Sequence, residues 1–165
     1  MSAARIPFIL IIFTVLLVFS ALASAQDFDK GLQAYDRGDY AAALREWRPL
    51  AEQGNPVAQY SLGVLYIHGQ GVPQNYAEAV RWYRMAAEQG YADALNNLGV
   101  MYFRGHGVLQ DYVLAHKWFN LAAAHGATEG DAVARNRDIV ASRMTPAQIS
   151  EAQKLAREWS EPRLR

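Results

Sequence analysis

Apolar residues are spaced differently in different parts of the chain. From Phe8 to Phe19 they run without a break except at Thr14. Further on they recur with helical spacing. Leu62, Leu65 and Tyr66 stand at i, i+3 and i+4, which predicts a helix over about 56–68. Ala79, Trp82, Tyr83, Ala86 and Ala87 mark one face of a second helix over about 76–89. Pro56 suits the first position of the earlier helix, and Gly69 and Gly90 suit the helix ends. Asn75, and Asp111 further on, are good N-cap residues.

This two-helix pattern recurs. A shift of 36 residues superposes 55–90 on 91–126 with 15 identities. They include Leu62 on Leu98, Gly63 on Gly99, Tyr66 on Tyr102, Gly71 on Gly107, Trp82 on Trp118 and Gly90 on Gly126. The matched residues are mainly small or aromatic, so they carry packing. Gly63 and Gly99 let paired helices approach closely, and Trp82 and Trp118 fill the space between neighbouring units. A lone helix pair cannot bury its apolar face, so repetition implies stacked units. A shorter relative occupies 26–54, where Tyr40, Ala43, Trp47, Ala51 and Gly54 align with Tyr76, Ala79, Tyr83, Ala87 and Gly90.

The repeat is lost after Gly126. One helix is expected over 129–143. Thr145, Pro146 and Gln148 then form a capping-box start for a last helix, with Ile149, Ala152, Leu155, Ala156 and Trp159 as its apolar stripe. Residues 127–165 therefore read as terminal capping helices. The fold class is all-α, a solenoid of antiparallel helix pairs at 26–54, 55–90 and 91–126 closed by a C-terminal capping helix pair.

The first 25 residues follow another logic. Arg5 and the amino terminus precede the apolar run, and Ala23 and Ala25 form an A-x-A site before polar Gln26 and Asp27. That is the layout of a secretory signal cleaved after Ala25, and it predicts a periplasmic or secreted protein. The alternative is an uncleaved membrane anchor, since Ile6–Ala25 is about long enough to span a bilayer. Cleavage would remove one basic residue and leave the chain at net charge −1.

The whole chain has 16 basic and 16 acidic residues and no cysteine. Balanced charge gives no reason to expect nucleic acid. Without cysteine there is no disulfide framework, thiolate metal site or acylated N-terminal anchor. The stretch holds no G-x-S-x-G elbow, S-x-x-K, Walker loop or dinucleotide fingerprint, and no small-molecule cofactor is expected. No histidine pair stands at i, i+4 with a carboxylate, so no metal site is expected. His68, His106, His116 and His125 are expected to be solvated or to cap helix ends. Gly69-Gln-Gly71 and Gly105-His-Gly107 recur between helices and read as structural turns.

The run Leu62-Gly-Val-Leu-Tyr66, Gly69-Gln-Gly-Val72, Tyr76-Ala-Glu-Ala79, Trp82-Tyr83 and Ala86-Ala-Glu-Gln-Gly90 resembles the Sel-one-like repeat. That family is related to the tetratricopeptide repeat and has a longer loop between its helices. The resemblance covers 55–126; residues 27–54 look closer to an ordinary tetratricopeptide repeat. The stretch Met144–Trp159 is similar to tails that follow such repeats in exported bacterial proteins. The resemblance implies a right-handed α-solenoid acting as an adaptor or scaffold, with the first helix of each pair lining the concave surface. A protein or peptide partner in the cell envelope would bind there.

On that face stand Phe28, Leu32 and Tyr35, then Tyr60, Val64, Ile67 and His68, then Asn96, Val100, Phe103 and Arg104. Leu32, Val64 and Val100 are expected to be core between helices. Tyr35, Tyr60, Ile67, His68, Asn96, Phe103 and Arg104 remain as candidate groove residues. An alternative function is a small envelope hydrolase acting on peptidoglycan or β-lactams, because some exported members of the family are linked to β-lactam chemistry. Those members carry paired cysteines that this chain lacks. A third reading is a structural helper tethered by an uncleaved N-terminus.

Overall fold

A computed structural model describes residues 27–127 and 130–161. The proposed signal segment and its cleavage site lie outside the described residues. Within them every regular element is helical. The elements are α1 (27–36), α2 (Tyr40–Glu52), α3 (Pro56–His68), α4 (Tyr76–Glu88), α5 (Ala92–Arg104), α6 (Tyr112–Ala124), α7 (Gly130–Ala141) and α8 (Pro146–Ser160).

Local chemistry sets the helix starts. The side chains of Asp39, Asn55, Asn75 and Asp111 accept hydrogen bonds from the amides of Ala42, Ala58, Glu78 and Leu114. Each satisfies a donor that the first turn leaves unpaired. Thr145 and Gln148 form a reciprocal capping box at the head of α8. The α3 and α5 ends fall at Gly69 and Gly105, both in the left-handed conformation at φ 63° and 70°.

The helices stack in sequence order. α3 pairs with α4 and α5 with α6, while α2 joins α3 and α4 joins α5 across the unit boundaries. The result is an α-solenoid. The expected terminal pair differs in detail, since α7 and α8 each pack on α6 rather than chiefly on each other. The last unit's second helix is thus covered from two sides.

Two apolar clusters run through the stack. Trp82, from the second unit, is buried among Ala43, Leu50, Ala51, Ala58, Leu62 and Leu65. Trp118 is buried in the following cluster with Val80, Leu95, Leu98 and Phe119. Each tryptophan therefore ties its own unit to the one before. Truncation of a buried residue of this size typically costs about 3–5 kcal/mol.

Polar contacts repeat with the same period. Arg48 donates to the Tyr66 hydroxyl at 3.0 Å, and Arg84 donates to Tyr102 at 3.0 Å. The Gly-x-Gly loops do more than turn the chain. A Cβ on Gly71 would stand 2.6 Å from the Tyr40 carbonyl carbon, and one on Gly107 would stand 2.5 Å from that of Tyr76. Each loop thus rests on the first residue of the preceding unit's second helix. His106 adds a stacked contact on Tyr76, with ring centroids 4.6 Å apart. In the first boundary buried Gln59 donates to the Ala51 carbonyl and accepts from Gln89 at 2.9 Å.

Candidate functional site

A shift of 32 residues from α1 to α3, which carries Gly31 onto Gly63, and of 36 from α3 to α5 defines equivalent positions on the first helices. Phe28, Tyr60 and Asn96 share one register; Leu32, Val64 and Val100 a second; Tyr35, Ile67 and Phe103 a third. A fourth holds Asp36, His68 and Arg104. These registers lie on α1, α3 and α5, so the face they form runs along the stack.

A cleft of about 270 Å³ opens between α1 and α3, lined by Phe28, Leu32, Tyr35, Trp47, Tyr60, Ser61 and Val64. It lies just below the roughly 300–1,000 Å³ common for small-molecule sites and suits one or two apolar side chains. Its walls are rings packed on one another. Phe28 lies on Trp47 at 5.6 Å, Tyr35 on Trp47 at 5.7 Å and on Tyr40 at 5.2 Å. Tyr60 lies on Tyr83 at 5.7 Å and on Tyr91 at 5.2 Å. The Trp47 indole N–H donates to the Phe28 carbonyl at 3.1 Å, so no polar demand is left in that wall.

Leu32 corrects the sequence expectation. It is not core: it is 43% exposed, whereas Val64 and Val100 are half-buried. Among the described residues no helix precedes α1, so nothing covers Leu32 on that side. Of the candidate groove residues, Tyr35 and Tyr60 meet in this cleft, while Ile67, His68, Asn96, Phe103 and Arg104 do not line it. Ile67 is half-buried against the larger core, and its carbonyl accepts from Gln74. His68 and Arg104 are exposed at the ends of α3 and α5. Asn96 is half-buried with its amide oxygen enclosed and unpaired.

Phe103 belongs to a separate cluster at the far end of the face. Its ring packs on Tyr112 at 5.8 Å, and the Arg143 guanidinium sits 4.9 Å from its centroid. Arg143 comes from the turn after α7, which no repeat pattern covers, and sequence reasoning missed it. Trp47 in the cleft comes from α2, so it was likewise invisible to a count of first-helix faces.

His116 is a second correction. It is neither solvated nor at a helix end but buried in α6, with Asn120 3.0 Å from Nδ1. Burial, with the nearby Arg137 guanidinium, lowers its pKa from the usual 6.5, and Asp138 opposes them. His125 does cap α6, with Nδ1 2.9 Å from the Leu121 carbonyl. Burial, aided by neighbouring Tyr60, holds the Tyr83 hydroxyl above the usual tyrosine range, so it stays neutral beside the cleft. Among the described residues no three histidines or carboxylates gather as metal ligands, and no helix is long and apolar enough to cross a membrane. The chemistry available at the cleft is contact with apolar groups.

Comparison with known proteins gives concordant results. A family model described as Sel1 repeat matches residues 56–91 and 92–126. The fold is similar to the crystal structure of a protective antigen of uropathogenic Escherichia coli that displays an SLR fold, with TM-score 0.75 and 29% identity. That match covers 82% of this chain but 29% of the antigen, so the chain spans less than a third of its length. A Sel1 repeat protein from Oxalobacter formigenes is 35% identical with TM-score 0.60, covering 70% of this chain and 88% of that one. No curated protein gave a significant match.

Proposed function

The chain belongs to the Sel1 repeat family, and from that premise we propose that it is an exported adaptor that holds a segment of a partner protein against its first helices. Sel1 repeat proteins are helical-repeat scaffolds for protein–protein interaction. The observation that carries the proposal is the α1–α3 cleft. Its walls are apolar and aromatic, its rings are already packed, and Leu32 is exposed at its rim. A preformed apolar concavity is the default candidate for a binding site. Burial of a partner's aliphatic or aromatic side chain there would need little reordering of the scaffold, which keeps the cost of binding low. The reading of residues 1–25 as a secretory signal supports a periplasmic or secreted location.

The test is a crosslinking pull-down from cell-envelope extract, with Leu32→Glu as the control. A defined protein recovered by the parent and lost in the variant supports the proposal. Equal recovery by both contradicts the cleft as the site. N-terminal sequencing of the isolated protein tests export: a chain beginning at Gln26 supports it, and one retaining Met1 contradicts cleavage.

A further inference from the structure

We propose that the segment held on this face is an apolar peptide with acidic side chains at one end, its apolar end in the α1–α3 cleft and its acidic end at Arg104 and Arg143. The inference rests on the groove reading above and names the chemistry of its occupant. One register of the stacked first helices holds Asp36, His68 and Arg104, all exposed. Charge along that row therefore runs from negative at the first unit to positive at the last. The registers beside it are apolar, with Leu32, Val64 and Val100 in one and Tyr35, Ile67 and Phe103 in the other.

A second cation comes from outside the repeats. Arg143 reaches Phe103, the residue next to Arg104, and its guanidinium also lies 5.9 Å from the Tyr112 ring centroid. A guanidinium stacked on rings keeps its N–H edge available for a carboxylate and is held in place for it. Ion pairs among the described residues use Lys30, Arg81, Arg137 and Lys154, and include neither Arg104 nor Arg143. At the opposite end of the row Asp36 offers an acidic group no such cation pair, so attraction at Arg104 and Arg143 favours one direction for the peptide.

The test is selection of a displayed random peptide library on protein purified from cells that express the full chain. Parent protein, Leu32→Glu and the double variant Arg104→Glu/Arg143→Glu are run in parallel, with thermal melting to confirm that all three fold. Parent protein should enrich peptides that combine apolar residues with an Asp/Glu cluster. The double variant should bind those peptides about tenfold more weakly and enrich Lys/Arg clusters instead, as expected for contacting charges. Peptides that depend on Leu32 but show no acidic bias, or are unmoved by the charge reversal, overturn this inference and leave the groove reading standing. Peptides indifferent to both variants, or no enrichment over the input library, overturn both.

Discussion

Phe119 of α6 lies against the bare backbone of Gly99 in α5: a Cβ at position 99 would stand 2.7 Å from Cε1 of that ring. Tyr83 meets Gly63 in the same way one unit earlier, and Trp47 meets Gly31 in the first. Each unit is therefore built on a glycine in its first helix that seats an aromatic ring from its second. The sizes differ (tryptophan, tyrosine, phenylalanine), but the contact is preserved across all three.

Substitution at this contact has a diagnostic sign. Glycine to alanine inside a helix ordinarily stabilises by roughly 0.5–1 kcal/mol. Gly99→Ala should instead destabilise by about 1–3 kcal/mol, because the ring must leave its rotamer or the helices must part. Thermal melting checks this, and a raised or unchanged midpoint would refute the packing account.

The loops between paired helices make a separate prediction. Gly38 and Gly107 both have positive φ, at 77° and 70°, but a Cβ on Gly38 meets nothing within 4 Å. Gly38→Ala should cost only the left-handed conformation, about 1–2 kcal/mol. Gly107→Ala adds a clash with the Tyr76 backbone and should cost about 1–3 kcal/mol more. Equal losses in denaturant melts would mean that the loop does not bear on the preceding unit.

Stability should depend on pH through His116. Its folded pKa lies below 6.5, so on acidification the unfolded chain takes up this proton first. The contribution to stability is complete above that pH and is lost as the pH falls below it. The thermal midpoint should drop as the pH falls below 6.5, and His116→Gln should flatten part of that slope. The same slope in parent and variant would assign the effect to other groups.

Leu32 separates binding from folding. Its side chain is 43% exposed, so Leu32→Glu should alter stability by no more than about 0.5 kcal/mol. Recovery of the partner should fall nonetheless. A variant that unfolds would show instead that Leu32 supports the first unit.

The repeat was legible because its identities sit where packing tolerates least. Gly63, Gly99, Trp82 and Trp118 recur at a fixed shift, and helical spacing with good caps located the helices. Two kinds of information were not in the pattern. Repetition of Gly71 and Gly107 shows that the loop matters, but the backbone each rests on belongs to another unit. Burial at a particular register depends on what lies beyond it. Leu32 shares its register with Val64 and Val100 yet is exposed because no described helix precedes α1, and polar His116 is covered where α7 packs on α6. Arg143 lies in a segment without a repeat, and only the fold brings it to Phe103.

The central claim is that the α1–α3 cleft contacts a partner, and photocrosslinking in living cells tests it most directly. A photoreactive amino acid would replace Leu32 at the rim of the cleft and, separately, exposed Glu88 near the end of α4. A discrete adduct from position 32 that is absent from position 88 is the predicted result. No adduct at 32, or the same adducts from both positions, would contradict the account.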